Sequence, residues 1–212
     1  MKKSLTTLLM ATSILASNAA IREVIELGAP DKSRGATLMK ALDDRKSTRA
    51  FDDKDLSMND LSDLLWAANG INRPETGMRT AASAMNRQDI DIYVVLQEAT
   101  YLYDAKGHRL VLVAEGDFRK LVAVGQEFVN QAPLSLVLVS ELARFNNPDD
   151  QGTRVTAAID AGIVSGNISL FCSAVGLATV PRTSMNGSAM KEAWSLAPTQ
   201  IPLVNHPVGY FK

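Results

Sequence analysis

Cysteine is almost missing from this chain: 212 residues contain one, Cys172. A lone thiol cannot close an internal disulfide. Histidine is nearly as scarce, and two imidazoles far apart, His108 and His206, do not make a metal site. Neither lies near Cys172 in sequence, so the thiol has no neighbouring base to activate it. In its apolar helical run it reads as a small core residue. No charge sign is in excess, because 22 Lys and Arg face 23 Asp and Glu for a formal net charge of -1. That balance excludes the general basic field expected of a nucleic-acid binder. No uninterrupted apolar run reaches the roughly 18 residues a membrane span requires. A Gly-rich dinucleotide fingerprint, a GKS/T phosphate loop, a nucleophile elbow, internal repeats and low-complexity linkers are absent as well.

What is present, 46% hydrophobic and 21% charged residues, is the composition of a globular protein with one sizeable core. The first twenty residues stand apart. Lys2 and Lys3 form a short basic head, Leu5 to Ala16 is mostly apolar, and small residues follow at Ser17, Ala19 and Ala20. This is the plan of a secretory signal peptide over residues 1–20, followed by one domain over residues 21–212. A cleaved leader implies an exported protein, periplasmic or secreted. An uncleaved amphipathic N-terminal helix implies a cytoplasmic one. No Cys follows the apolar stretch, so a lipid anchor is not indicated.

Helical spacing runs over 36–46, with Leu38, Ala41 and Leu42 on one side. Ser57 reads as an N-cap with Asp60 three residues on, opening a helix that ends at Asn69-Gly70. Residues 71–88 read as a loop. "DIDIYVVLQE" and "ATYLYDAKGHRLVLVAE" alternate and form a hairpin turning at Asp104 to Gly107. A helix is expected over 117–130, then a strand, "LSLVLVSE", buried on both faces. The longest helix, Gly152 to Val175, is nearly apolar all round and closes at Gly176, which points to the centre of the domain or to a subunit interface. "ATV" is a short strand, 188–196 a short helix, and "IPLVNHPVGYF" a closing strand interrupted by Pro. Helices and strands mix without βαβ alternation, so the class is α+β.

Two segments carry candidate chemistry. "DDRKSTRAF" places Arg45, Lys46 and Arg49 among the hydroxyls of Ser47 and Thr48. On a helix Arg45 and Arg49 would share a face, and their forks suit a phosphate lying between them. The alternative is a solvated basic helix end, neutralised by Asp43, Asp44, Asp52 and Asp53. "GMRTAASAMNRQ" brings Asn86 and Gln88, whose amides suit a ring edge that alternates carbonyl and N–H. Its alternative is an exposed loop.

Together these segments resemble the flavin-dependent nitroreductase family. "RKSTRAF" looks like its Arg-x-Ser-x-Arg/Lys motif, "SAMNRQ" is similar to its Ser-x-x-Asn-x-Gln segment, and "DAGIVSGNISLFCSAVGLATVP" resembles its central helix and following strand. The likeness spans residues 36–212, and "VGYFK" looks like the closing strand. It implies a mostly antiparallel sheet flanked by helices and a homodimer with two FMN sites at its interface. It implies an FMN-dependent oxidoreductase in which the flavin carries the chemistry, passing hydride from NAD(P)H or another donor through flavin N5 to a nitroaromatic, quinone or similar acceptor. Residues carried over as FMN contacts are Arg45, Lys46, Ser47 and Arg49 for the phosphate and ring edge, and Asn86 and Gln88 for the pyrimidine edge. Thr183 and Ser184, with Arg182 before them, fall near N5. Lys212 stands where many members have a later basic residue. No metal and no catalytic side chain are implied. Thr183-Ser184 departs from the acid and Gly that many members carry there. The hairpin "LYDAKGHRLVLVAEGDFRKL", residues 102–121, looks closest to the branch holding azoline oxidases, which makes an azoline-type dehydrogenase the second reading. A non-catalytic exported binder of flavin or another phosphorylated ligand is the third.

Overall fold

In "LSLVLVSE" successive side chains must point to opposite faces of a sheet, and both sets are apolar. The computed structural model describes residues 21–212 and shows where each set goes. This segment is β7 (Leu134–Glu141), paired with β4 (Ile90–Val95). Leu134, Leu136 and Leu138 enter one core together with Ile90, Ile92 and Val94. Val137 and Val139 enter a second core with Tyr93 and Val95. A strand covered on both faces has no polar side to show, which is why its apolar run is unbroken.

Around this pair the sheet runs β1 (Val24–Glu26), β6 (Arg109–Glu115), β5 (Ala99–Asp104), β4, β7, β9 (Gln200–Tyr210), β8 (Leu177–Thr179). Every neighbouring pair is antiparallel. The first core is roofed by α2 (Met58–Asn69) and α5 (Gln151–Val175), with α1 (Leu38–Asp44) packed on α5. The second is covered by α3 (Arg119–Ala123), α4 (Phe128–Gln131) and α6 (Gly187–Ala193). The architecture is therefore the helix-flanked antiparallel sheet that strand pattern and resemblance implied. The expected leader, residues 1–20, lies outside the described residues.

Local signals explain most boundaries. Ser57 Oγ accepts from the Asp60 N–H at 3.1 Å and starts α2. Asp150 caps α5 through the Thr153 N–H, and Gly176 closes it at φ 77°, a left-handed position that favours glycine. Three expectations need correction. The 117–130 helix is two short helices, because Val124 (φ 46°) and Gly125 (φ 76°) both turn left-handed. Residues 71–88 are not all loop: β2 (Ile71–Arg73) and β3 (Met78–Arg79) make a small hairpin. The closing strand is continuous through Pro202 and Pro207. A register shift lies opposite Pro202, and β8 covers only Val208 to Tyr210, so the missing N–H groups leave no gap in a central ladder. By length and composition alone α5 could cross a membrane, as a buried core helix also could.

Helix α5 shows two faces. Ala161, Val164, Ile168 and Cys172 are buried against the first core and Ala157 against Leu142 and Phe145, with Asp160, Ser165 and Ser169 among them. On the other side Val155, Ile159 and Ile163 are 54%, 59% and 37% exposed at i, i+4, i+8 spacing. On α1 only Ala41 is buried, while Leu38 and Leu42 stand 63% and 49% exposed.

Candidate functional site

Helix α1 ends at Asp44, and Arg45 leaves it at φ -56°, ψ 120°. Arg45 and Arg49 therefore do not share a helical face. The chain runs on beside β8: the Thr48 N–H donates to Thr179 O at 2.9 Å, Phe51 bridges Phe211, and the Asp52 N–H donates to Tyr210 O. In an extended segment every second side chain lies on one side, so Arg-x-Ser-x-Arg spacing still groups residues 45, 47 and 49. Lys46 turns away from them. Its Nζ lies 5.4 Å from the Phe211 ring centroid, in a hollow of about 240 Å³ shared with Asp44, Ser169, Cys172 and Thr179. Arg45, Ser47 and Arg49 are exposed and have no side-chain hydrogen bond or ion pair among the described residues.

Beside Arg49 stands a buried guanidinium. Arg182 is 8% exposed, and β9 fixes it through a two-way backbone bridge with Asn205. Its side chain donates to Val122 O (3.0 Å), Asn205 Oδ1 (2.7 Å), Ala123 O (3.1 Å) and Gln126 Oε1 (3.3 Å). Every acceptor is neutral. Burial, and then the like charge of Arg49, hold its pKa below the usual arginine range. A buried cation with only neutral partners, in the field of a second one, attracts an anion. With Gln126, Ser165, Pro181 and Val204, Arg182 lines a cavity of about 400 Å³ that also contains Thr183 and Ser184. No carboxylate lines it. The Asn205 Nδ2–H donates to Ser184 O at 3.1 Å and secures the loop.

The second segment lies elsewhere. Ala84 N–H donates to the Asp160 carboxylate near the middle of α5, whereas α1 meets Ser173, whose hydroxyl donates to Ala41 O at 2.7 Å. Thirteen residues at 1.5 Å each put about 20 Å between those points of the helix. One chain thus brings the Arg45–Arg49 segment to β8 and into the field of Arg182, while Asn86 and Gln88 belong to a loop packed on α5 at Asp160. Met85, Asn86 and Gln88 hold left-handed φ of 51°, 53° and 50°, strain of the kind kept at functional loops. Gln88 is committed within the loop. Its Nε2 donates to Gly77 O and Asn86 Oδ1, its Oε1 accepts from Arg79, and its N–H donates to Ser83 Oγ. Asn86 is exposed, and its Nδ2 has no acceptor among the described residues. Beneath the loop Asp89 is fully buried; Ser140 donates to its Oδ2 at 2.6 Å, and its Oδ1 has no partner. Burial chiefly, with Asp160 adding, pushes the Asp89 carboxyl up to about 6.

Lys212 follows Phe211, which bridges Phe51 and packs on Lys46. It lines a cleft of about 410 Å³ with Asp52, Asp53, Asp55 and Arg119. Cys172 is fully buried, and burial raises its thiol pKa far above the range of a nucleophile. Among the described residues no three His, Cys, Asp or Glu side chains cluster as metal ligands. Sequence reasoning passed over Asn205, Asp89 and Asp160. The first had a signal, since Asn205-His206 is a polar pair inside an otherwise apolar strand.

Comparison with known proteins agrees with this geometry. The nitroreductase family model matches residues 42–210. A Methanocaldococcus jannaschii protein provisionally named a nitroreductase is 27% identical over 197 residues, 88% of this chain and 97% of its own. A crystal structure from Ralstonia eutropha, also provisionally named a nitroreductase, is 38% identical, covers 90% of each chain and superposes with a TM-score of 0.84. At 18% identity, a Clostridium acetobutylicum protein provisionally named an NADH oxidase shares the fold, with a TM-score of 0.57.

Proposed function

The chain belongs to the nitroreductase family of oxidoreductases, a family that generally works with a flavin, and on that premise we propose that it binds FMN between the Arg45–Arg49 segment and Pro181–Ser184. In this reading it acts as a homodimer and passes electrons from NAD(P)H or another donor to a nitroaromatic, quinone or similar acceptor. The observation that carries the reading is Arg182, a buried guanidinium bonded only to neutral acceptors in a cavity lined by no carboxylate. An anionic cofactor fits that deficit. Arg45 and Arg49 have free guanidinium forks that match phosphate oxygens in pairs, and Ser47 adds a short-range donor. Arg182 is anchored by four acceptors and offers a fixed positive charge that needs no reorganisation when negative charge develops nearby. Thr183 and Ser184 furnish hydroxyls on the same wall. When bound, the flavin supplies two-electron hydride chemistry, and the protein supplies binding, orientation and electrostatics.

The homodimer in this reading has a candidate seam. The Val155, Ile159 and Ile163 stripe is an uncovered apolar face on the helix that joins the two candidate clusters. Two-fold packing through that stripe would run the two α5 helices against each other. The reading of residues 1–20 as an export leader would separate the enzyme from the cytoplasmic NAD(P)H pool; intact mass of protein from native cells tests it by the loss of those residues.

The test of function is purification of the full chain and titration with FMN, followed by NADH and then a quinone. Stoichiometric uptake, bleaching of the flavin absorbance by NADH and its recovery with the quinone are expected. Colourless protein that takes up no FMN contradicts the cofactor; flavin uptake without turnover under any donor and acceptor contradicts the enzyme reading.

A further inference from the structure

Strand β9 buries a second polar residue next to Asn205: His206, fully enclosed. Its side chain shares a strand face with Val204, which lines the Arg182–Ser184 cavity. The two ring nitrogens each meet a hydroxyl. Nδ1 lies 3.2 Å from Thr179 Oγ1, and Nε2 lies 2.7 Å from Ser165 Oγ. Counting protons gives each bond its direction. Thr179 donates its one hydroxyl hydrogen to Pro207 O at 2.9 Å. Toward His206 it can only accept, so Nδ1 carries the ring hydrogen. Burial pushes the His206 pKa down to about 3, so the ring is neutral and Nε2 is a bare lone pair. Ser165 must therefore donate its only hydrogen to Nε2. Ser165 also lines the cavity, and what its oxygen has left to offer there is lone pairs. A serine free to rotate can serve as donor or acceptor; this one is held as an acceptor. Across the same cavity Arg182 supplies positive charge, so the two walls prefer opposite partners.

We propose that Ser165, fixed in direction by His206 and Thr179, is a specificity-determining acceptor in the wall of the Pro181–Ser184 cavity, favouring ligand groups that present an N–H or O–H over groups that present a lone pair. The consequence for redox rests on the FMN reading above. Oxidised flavin has a lone pair at N5 where the reduced ring has an N–H, so an acceptor-only wall favours the reduced ring.

Two measurements on the full chain test this. Nitrogen NMR of the protein without flavin, with His206→Gln to assign the signals, reads the tautomer. Nδ1–H with an unprotonated Nε2 is expected at neutral pH. An Nε2–H tautomer overturns the proposal, because Ser165 would then be free to donate. In FMN-loaded protein, Ser165→Ala should weaken reduced relative to oxidised FMN by about five- to tenfold, the size of one net hydrogen bond. That ratio reads as a midpoint potential lower by about 20–30 mV for the two-electron couple. An unchanged ratio in loaded protein overturns it. Failure to load FMN at all counts against the cofactor assignment instead, and the tautomer then decides the role of Ser165 by itself.

Discussion

The Arg45–Arg49 segment and the Ser83–Asp89 loop sit near different points of α5 and are built in opposite ways. The first has unstrained extended backbone and an excess of positive charge, with Arg45 and Arg49 unpartnered and Arg182 bonded only to neutral acceptors. The second has three left-handed non-glycine residues above two buried carboxyls, Asp89 and Asp160. Charge left unneutralised at an exposed segment prepares it for a counter-ion. Strain and carboxyl burial beneath a loop shape that loop, with Asn86 at its tip. The comparison separates a region made for holding a ligand from one made for presenting a side chain.

The largest effect should come from the cationic region. Arg45→Ala with Arg49→Ala removes two charge-assisted contacts of about 1.5–3 kcal/mol each, so FMN affinity should fall at least about a hundredfold in a fluorescence titration. Folding should be unchanged, because neither side chain has a partner within the described chain. The loop region should respond to pH instead. The folded pKa of Asp89, about 6, lies above its reference value of 3.8. The folded state therefore keeps a proton that the unfolded chain loses. Stability from this group is full below about pH 4 and declines as pH rises to about 6, by on the order of 3 kcal/mol. Urea melts across that range check it, and Asp89→Asn should flatten the slope. A smaller gain is expected from Met85→Gly. Met85 is 72% exposed at φ 51°, so glycine relieves strain without losing packing, and stability should rise by about 0.5–1 kcal/mol in the same melts. The smallest effect is at Lys212, which lies in the Asp52–Asp55 cleft. Lys212→Ala should leave FMN affinity within about twofold, as one exposed charge contributes little.

Legibility in the sequence followed the same division. Elements whose partners are close in the chain, or whose pattern is long, were readable: the Ser57 cap, the doubly buried β7 and both ends of α5. Elements that exist through distant pairing were not. β1 is three residues held by β6, and β2 with β3 is a polar hairpin whose residues have weak strand preference. The split after Ala123 had a visible Gly125, but the left-handed Val124 beside it had no signal. The grouping of Arg45, Ser47 and Arg49 was legible, although for a different reason than a helix, because period two and period 3.6 both unite positions four apart. Arg182 was visible only as a neighbour of Thr183 and Ser184. Its charge became informative once β9 placed it beside Arg49. That the Asn86 loop packs on α5 at Asp160, about 20 Å along the helix from the α1 contact at Ser173, could not be read from motif order, since order along the chain carries no distance between elements.

The most direct test of the account compares FMN with riboflavin, which has the same ring and no phosphate, by calorimetric titration of the full chain and of Arg45→Ala/Arg49→Ala. The account predicts that the chain binds FMN at least about a hundredfold more tightly than riboflavin, and that the double variant narrows the gap to about threefold or less. Equal affinity for the two ligands in the unaltered chain, or a gap that survives both substitutions, would contradict the assignment of this segment as the phosphate-binding half of the site.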